Sequence, residues 1–494
     1  MRHLDFGRRW CEWVCILLST GSTRVLVNGN PGPPIDHACG LRQGDPVLPL
    51  LFAIVIDTLN SLLQHASHAG MLQRLTNRHA ASSIALFADD VVIFCHPTSS
   101  ELATIRELLR VFSDASGLRT NFLKCSATPI HCDQEVITTI DSTIGCVVSD
   151  FPIVYLGLPL SIRKTPSSAL LPLVDKLARK LATWKAALLT RGERLALVRH
   201  VLTAMPIHIL MAIAICPVIL KKITHIIRDF FWHGRRDANS GCCLVAWQHV
   251  CRPVDFGGLG VRDLRLTGIS LRDIHDTLGP LAVIEYVNLW RKLQLVTLSD
   301  EPDHLSWRWT TNGVYSASSC YRALFHGSTL SPCWKLLWKS WAPLNNKVFL
   351  WLAYLDRCWT AERRVRRGLS TDPTCILCDQ EVESIDHLLA GCVFSRITWH
   401  KILSWCRLVT PPLDEAASFF IWWTAAAEAS PGSLRKGLNS IIALTAWAIW
   451  KHRNAAIFDV LRPSIEDLIK SIKDDASLWA KAGATGLASI LPVA

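Results

Sequence analysis

Residues 84–94 carry two adjacent acids, Asp89 and Asp90, between two short apolar runs rich in residues that favour strands. The pattern predicts a strand, a tight turn and a second strand, with the acids at the turn. Two neighbouring carboxylates repel each other unless a cation compensates their charge, so this pair could hold a divalent metal. The alternative is an ordinary turn, in which aspartate is a common residue.

A second constellation has the spacing Cys375-x₂-Cys378-x₈-His387-x₄-Cys392. Two thiolates from a Cys-x-x-Cys turn, joined by a later histidine and a later cysteine, can close a tetrahedral zinc site. Four protein ligands leave no open position for catalysis, so the predicted Zn²⁺ is structural. The alternative is a set of free cysteines and one histidine of the core.

Helices next to both constellations must position these side chains. A long apolar helix is predicted from about Pro49 to His65, beneath the sheet that carries the acids. An amphipathic helix is predicted over Ser100–Ala115, and Gly117 is expected to close it as a C-cap. His387 begins an apolar stretch that is predicted to be helical, with Leu388 and Leu389.

Two motifs, taken together, resemble a known family. The loop over residues 40–46 reads Gly-Leu-Arg-Gln-Gly-Asp-Pro, and residues 87–90 read Phe-Ala-Asp-Asp. In this order and spacing they resemble the reverse transcriptase of plant-type non-LTR (LINE-type) retrotransposons. The segments Tyr155-Leu156-Gly157 and Arg194–Met211 are similar to the primer grip and the thumb of that family. Residues 307–405 resemble the zinc-binding module found after plant-type reverse transcriptases.

The resemblance implies a role for each acid of the hairpin. Asp89 is expected to bind magnesium directly, and Asp90 is expected to support it as the second catalytic carboxylate. Nucleotidyl transfer uses two divalent ions about 4 Å apart, held by a few carboxylates and by substrate phosphates. Phe87 is expected to pack near the primer end. Lys124 fits the family's Asn-x-x-Lys pattern and could neutralise the leaving pyrophosphate, although it could equally be an ordinary surface lysine.

The resemblance also places the loop before the apolar helix in the template and nucleotide pocket. Arg42 suits a phosphate, because its guanidinium is a planar multiple donor. Gln43 can form hydrogen bonds without adding charge, and Gly44 permits a close approach of the backbone. The alternative is an ordinary loop that caps a core helix.

The sequence departs from the family in three places, one of which is Cys125 in place of the usual serine or threonine after Lys124. Val47-Leu48-Pro49 stands where the family usually has Leu-Ser-Pro, which removes a helix-capping serine. The family's other catalytic carboxylate lies on a strand upstream of the loop, and the acids before residue 40 (Asp5, Glu12 and Asp36) do not fit its pattern. We therefore expect an N-terminally truncated fragment that does not polymerise alone.

The predicted fold class is α+β, in four parts. Residues 1–165 are expected to form a partial palm, an antiparallel sheet with helices that lacks the first catalytic motif. A thumb-like helical region over residues 166–294, a zinc-binding module over 305–405 and a helical tail over 411–494 are expected to follow. Three prolines are expected to break the thumb-like helices: Pro172, Pro206 and Pro217.

Composition restricts the partners and the compartment. The net charge of +11 favours an anionic partner, although alone it is weak evidence for nucleic acid. The 18 cysteines are dispersed and no secretory signal precedes them, so an intracellular location with mostly free thiols is expected. The family resemblance adds the nucleus. The apolar runs Ile209–Leu220 and Ile441–Trp450 are too short for a span of about 20 residues, so no membrane partner is expected.

These observations predict an RNA-directed DNA polymerase of a non-LTR retrotransposon. The expected partners are an RNA template, a DNA primer and deoxynucleotides, with Mg²⁺ for catalysis if the fragment is active and structural Zn²⁺. The alternative is a non-catalytic nucleic-acid-binding zinc protein that keeps the palm as a scaffold. A third alternative is an inserted sequence without any function.

Overall fold

Two units divide the chain, residues 1–169 and residues 170–494. The computed structural model describes residues 5–37, 44, 46–73, 84–181, 188–213, 215–234, 243–267, 291, 306–326, 331–413 and 418–492. The secondary structure of these residues consists of helices and of short paired strands, and most of the strand pairs are antiparallel. This confirms the predicted α+β class. The polar composition of residues 295–306 predicts a linker, and this stretch lies outside the described residues except for Ser306.

The described residues of the first unit form helices and paired short strands. Its elements are α1 (Arg8–Ser19), β1 (Ser22–Thr23), β2 (Leu26–Val27), β3 (Asn30–Pro31), β4 (Ile35–Asp36), α2 (Leu48–His68), β5 (Ile84–Phe87), β6 (Asp90–Ile93), α3 (Ser99–Ser116), β7 (Ser126–Ala127), α4 (Gln134–Ile144), β8 (Val147–Val148), β9 (Ile153–Tyr155) and β10 (Leu158–Leu160). The pairs β1–β4, β2–β3, β5–β6 and β9–β10 are antiparallel, whereas β7–β8 is parallel. The predicted hairpin at residues 84–94 is present, and β9 and β10 form a second hairpin around Leu156-Gly157.

The core of the first unit lies between α2, α3 and the β5–β6 hairpin. Leu59 and Leu63 of α2 pack with Ile105 and Phe112 of α3 and with Ile84 of β5. The ends of α3 follow from its sequence, since the Thr98 hydroxyl accepts the Glu101 N–H and Gly117 takes a φ of 76° after the last turn. The hairpin that carries Asp89 and Asp90 is therefore held on a helical layer.

Helix α2 is also long and apolar enough, over Pro49–His68, to pass a test for membrane spans by length and composition. One such helix is weak evidence, because core helices of soluble proteins pass the same test. Its residues Leu59, Leu63 and Ala66 belong to the core of the first unit, which agrees with the predicted core helix.

The second unit is helical. Its elements are α5 (Ser167–Lys180), which begins three residues before the unit boundary, α6 (Arg191–Leu197), α7 (Ile207–Ala212), α8 (Pro217–His233), α9 (Trp247–Val250), α10 (Leu264–Thr267), α11 (Ala317–Ala323), α12 (Pro332–Lys339), α13 (Leu344–Tyr354), α14 (Ala361–Arg366), α15 (Val393–Trp405), α16 (Phe419–Ala429), α17 (Gly432–Phe458), α18 (Ile465–Lys481) and α19 (Thr485–Ala488). Single π-helical turns occur at Val198–Leu202 and His387–Gly391, and Val254–Phe256 forms a 3₁₀ turn.

One continuous apolar core runs through this unit. It includes Phe231 of the predicted thumb-like region, Trp351 and Trp399 of the predicted zinc module and Ile441 of the predicted tail. Each of these side chains is fully buried. The helices of all three predicted parts thus support one another through shared packing.

The prediction that Pro172 breaks a helix is wrong. Pro172 lies in the second turn of α5, where it removes only one backbone hydrogen bond. Burial of Leu170, Leu173 and Leu177 on the same helix offsets that loss. Pro206 and Pro217, in contrast, stand at the starts of α7 and α8, as expected.

Candidate metal centres

The acidic hairpin, Ile84–Ile93, turns through a two-residue loop. Phe87 pairs with Asp90 across the strands, so Ala88 and Asp89 form the loop between them. Ala88 has a φ of 50°, a left-handed conformation that favours glycine and costs an alanine roughly 1 kcal/mol. The acids were predicted at the turn; Asp89 lies in it, and Asp90 is the first residue of β6.

The two faces of this hairpin differ. Leu86 and Val91 pack toward the helical core, whereas Phe87 and Asp90 form a cross-strand pair on the opposite face, because alternate residues of a strand point to opposite sides. Asp89, Asp90 and Phe87 are all exposed, and Phe87 is 61% exposed. Both carboxylates are therefore accessible from the solvent.

The structure describes only some of the other residues that the sequence predicts for nucleotide binding. Arg42 and Gln43 lie outside the described residues, and Gly44 is exposed with a φ of 93°. Lys124 is exposed at the end of a turn, where its N–H donates to the Asn121 carbonyl at 3.0 Å. Within the described part of the chain, no hydrogen bond or ion pair joins Lys124 to the acidic hairpin.

The predicted zinc ligands form the zinc cluster: Cys375, Cys378, His387 and Cys392. One ligand atom from each residue lies within 4.8 Å of the others, although the residues span 18 positions of the chain. The Cys375 and Cys392 Sγ atoms are 4.0 Å apart, and the Cys378 Sγ is 3.4 Å from the His387 Nε2. Cys375 and Cys392 are buried. Among the described residues, this is the one group of three or more potential metal-ligating side chains.

Two local structures bring the four ligands together. The zinc hairpin, residues 374–382, closes through a bridge between Thr374 and Val382, and the Cys375 N–H donates to the Glu381 carbonyl at 2.8 Å. His387 and Cys392 flank the single π-helical turn, and the Cys392 N–H donates to the His387 carbonyl at 2.6 Å. Single π-turns are common at functional sites, and this one presents the two side chains to the hairpin.

Proton sharing among the ligands shifts their pKa values. A hydrogen bond between the two thiols raises the pKa of Cys375 to about 12 and lowers that of Cys392, which also accepts backbone N–H groups at the start of α15. Hydrogen bonds to Cys375 and Cys378 raise the pKa of His387 to about 9. Three sulfur donors and one imidazole nitrogen are the donor set of a structural zinc site, so these residues fit Zn²⁺.

Acidic residues surround the cluster, and sequence reasoning missed them. The Glu381 carboxylate lies 3.2 Å from the His387 Nδ1, an arrangement that directs the Nε2 atom toward the thiols. Glu383 forms a buried ion pair with Arg453, and Asp386 accepts hydrogen bonds from residues 418 and 419. The spacing of Glu381 between two ligands was a weak signal, but no sequence pattern links Glu383 to a residue 70 positions away.

Residues 363–367 contain four arginines, and their side chains differ in burial. Arg363 is buried, donates to the Asp356 carbonyl and lies over the Trp359 ring at 5.2 Å. Arg366 is exposed and pairs with Asp356 at 3.3 Å. Arg367 is exposed beside it. Because Arg363 is buried, only the remaining arginines of this run could reach a phosphate outside the protein.

Two segments of the chain match known families. Residues 6–160 match the reverse transcriptase (RNA-dependent DNA polymerase) family, and residues 315–399 match the family described as zinc-binding in reverse transcriptase. The first match contains the acidic hairpin and Lys124, and the second contains the whole zinc cluster. The predicted resemblance to a reverse transcriptase with a zinc-binding module is thereby confirmed.

Similar proteins from three organisms include proteins of retrotransposable elements. A ribonuclease H protein of Arabidopsis thaliana is 22% identical over 62% of this chain and 66% of its own length. The retrovirus-related Pol polyprotein of a type-2 retrotransposable element of Drosophila melanogaster is 28% identical over 55% and 25%. A protein of transposon TX1 of Xenopus laevis is 23% identical over 54% and 20%. The chain thus spans between a fifth and two thirds of the length of these relatives.

Proposed function

We propose that this chain, a relative of the reverse transcriptases of non-LTR retrotransposons, takes part in RNA-directed DNA synthesis. The observation that carries the proposal is the exposed pair Asp89 and Asp90 at the loop of a hairpin within the reverse transcriptase match. Its substrates would be an RNA template, a DNA primer and deoxynucleotides. We propose this chemistry for the hairpin acids. That the chain shares the whole activity of the longer relatives is a separate proposal.

The hairpin residues fit a site for Mg²⁺. Carboxylate oxygens are the ligands that this ion prefers, and Mg²⁺ commonly relies on substrate phosphates for its remaining contacts. When bound, a pair of such ions polarises the phosphate and stabilises the attacking and leaving oxygens. We assign Asp89 to direct metal contact and Asp90 to support. Phe87, on the same face as Asp90, would pack against the primer end, and Lys124 would neutralise the pyrophosphate.

A complete polymerase site needs more than this hairpin. Within the described residues, no further acid joins Asp89 and Asp90 in a group of three or more ligands. We therefore propose that the chain alone does not extend a primer. Primer extension should require the family's upstream carboxylate. A segment of a related polymerase that carries this carboxylate can be fused to the N-terminus of the chain.

Primer extension with two proteins tests this proposal. The chain alone should give no Mg²⁺-dependent extension on an RNA template, whereas the fusion should extend the primer. Asp89→Ala in the fusion should abolish extension, while Asp114→Ala, an exposed acid on α3, should leave it unchanged. A fusion that still extends with Asp89→Ala would refute the assigned role.

The second candidate function is nucleic-acid binding through a zinc-stabilised module without catalysis. The observations that favour it are the complete ligand set of the zinc cluster and the exposure of Arg366 and Arg367 in the same unit. We propose that these arginines contact phosphates and that zinc is structural. Arg367→Ala should weaken RNA binding and reduce the salt slope by about one, as expected for one lost phosphate contact. Salt-dependent binding by a fusion that never incorporates nucleotides would favour this candidate over polymerisation.

We also propose an intracellular, nuclear location, which rests on the family alone. Imaging of the chain fused to a fluorescent protein in plant cells tests it. A signal that is excluded from the nucleus would refute it.

A further inference from the structure

The C-terminal helices bind two carboxylates that lie shortly before His387 in the chain. Glu383 lies four residues before His387, and Asp386 lies one residue before it. Both carboxylates are bound by groups from the described part of the predicted tail, residues 411–494. The match to the zinc-binding family ends at residue 399, before any of these partners. The tail thus supplies contacts to a site that lies in another segment of the sequence.

Arg453 of α17 binds Glu383 in the interior of the second unit. The Arg453 Nε donates to one carboxylate oxygen at 3.0 Å and its Nη2 donates to the other. The Arg453 side chain is 2% exposed and the Glu383 side chain 0% exposed. Because a buried charge is stable only when it is paired and hydrogen-bonded, each of these residues depends on the other.

Glu383 also closes the open end of the zinc hairpin, which it directly follows in the chain. Its N–H donates to the Pro373 carbonyl at 2.8 Å, directly before the hairpin begins. Its carboxylate also accepts the Ala361 N–H at 2.7 Å, at the start of α14. Arg453 therefore fixes the point from which the hairpin carries Cys375 and Cys378 toward His387.

The second contact comes from the start of α16. One oxygen of Asp386 accepts the Phe419 N–H at 2.9 Å and the Ser418 hydroxyl at 3.0 Å. This helix start binds the residue next to His387, where the π-helical turn begins. A carboxylate at a helix N-terminus satisfies N–H groups that have no partner within the helix.

We infer that the tail helices are part of the support of the zinc site, with Arg453 as a positioning residue. This inference rests on the zinc proposed for the four ligands. It predicts that zinc binding and the packing of the tail are linked, so that zinc stabilises the tail by the same factor by which the tail strengthens zinc binding. The tail then has a definite role, namely to hold the ligands of a neighbouring segment in the binding geometry.

Zinc affinity of full-length variants tests the inference, measured by competition with a chromophoric chelator. Arg453→Met should weaken zinc binding about 10- to 100-fold, the effect typical of lost outer contacts to a metal site. Lys451→Met is the matched control, since Lys451 lies on the same helix and makes only a 3.7 Å pair with Asp475 at the surface. It should change the affinity less than twofold.

A double variant separates positioning from general damage to the fold. Arg453→Met combined with Glu383→Leu removes both buried charges, so it should recover part of the lost affinity and the absorption spectrum of the Co²⁺-substituted site. If Arg453→Met fails to fold, Ser418→Ala provides the milder variant and should weaken zinc binding about tenfold or less. An unchanged zinc affinity in folded Arg453→Met would overturn the inference. If Arg453→Met does not fold, an unchanged zinc affinity in folded Ser418→Ala would overturn it.

Hydrogen exchange gives an independent measurement. Removal of zinc from the wild-type chain should speed amide exchange in Gly432–Phe458, and exchange that stays the same would also overturn the inference. A wild-type chain that binds no zinc would instead refute the proposed zinc site itself. The two failures are therefore distinguishable.

Discussion

The acidic hairpin and the zinc cluster are two candidate metal centres built in opposite ways. The acids Asp89 and Asp90 are exposed at a two-residue loop, with hard oxygen donors and few protein contacts. The zinc cluster gathers soft donors between a hairpin and a π-helical turn, with Cys375 and Cys392 buried. An exposed, incomplete donor set suits ions that arrive with substrate, whereas a closed set of four suits an ion that stabilises the fold.

The largest expected effect is removal of one zinc ligand. Cys378→Ser should weaken zinc binding several hundredfold, because four ligands share an affinity of roughly 10–16 kcal/mol. The second unit should also unfold at a lower temperature, as measured by metal analysis and calorimetry. Cys320→Ser, a cysteine of the same unit outside the cluster, is the control and should retain zinc. Equal zinc content in both variants would argue against the cluster.

Acidification should weaken zinc binding by at least 100-fold per unit of pH between pH 6 and 8. In the metal-free chain the Cys375 thiol and the His387 imidazole both carry protons in this window, since their pKa values are raised to about 12 and about 9. Zinc must displace both protons, and any proton on the other two ligands adds to them. Titration calorimetry in buffers of different ionisation enthalpy should report release of at least two protons. No proton release at pH 7 would contradict the ligand assignment.

The same shift gives the metal-free chain its own pH dependence. The folded pKa of His387 lies above its ordinary value of 6.5, so the contribution of its hydrogen bonds to stability is complete below about pH 6.5. That contribution is lost as the pH rises through about 9. Urea unfolding of chelator-treated protein at pH 6 and pH 9 should show the loss, and zinc-loaded protein should not show it.

A smaller effect is expected from the outer contact to His387. Glu381→Gln should weaken zinc binding about tenfold, the low end for an outer carboxylate, because Glu381 is 74% exposed. Glu362→Gln, which removes a surface carboxylate that pairs with Arg366, should leave zinc affinity unchanged. Similar affinities for the two variants would mean that Glu381 does not orient the imidazole.

The smallest effect concerns the loop of the acidic hairpin. Ala88→Gly should stabilise the first unit by about 0.5 kcal/mol, since relief of the left-handed conformation exceeds the entropy cost of glycine. Ala85→Gly, within β5, should instead destabilise it by about 1 kcal/mol. Urea denaturation distinguishes the two, and a less stable Ala88→Gly would show that the loop is unstrained.

Local features of both centres could be predicted from the sequence, whereas their tertiary contacts could not. The strand runs around Asp89, the cap at Gly117 and the spacing of the zinc ligands are signals within a few residues. The pairing of Glu383 with Arg453 joins positions 70 residues apart and leaves no periodic pattern. Pro172 was misjudged because burial of its neighbours outweighs one missing hydrogen bond.

Metal titration of the full chain, with and without template–primer and nucleotide, tests the contrast between the two centres most directly. Zinc should bind tightly in the absence of substrate and remain bound in Asp89→Ala. Mn²⁺, detected by electron paramagnetic resonance in place of Mg²⁺, should bind at the hairpin only when substrate phosphates are present, and Asp89→Ala should abolish it. Substrate-dependent Mn²⁺ binding that persists in Asp89→Ala, or a wild-type chain without zinc, would contradict this account.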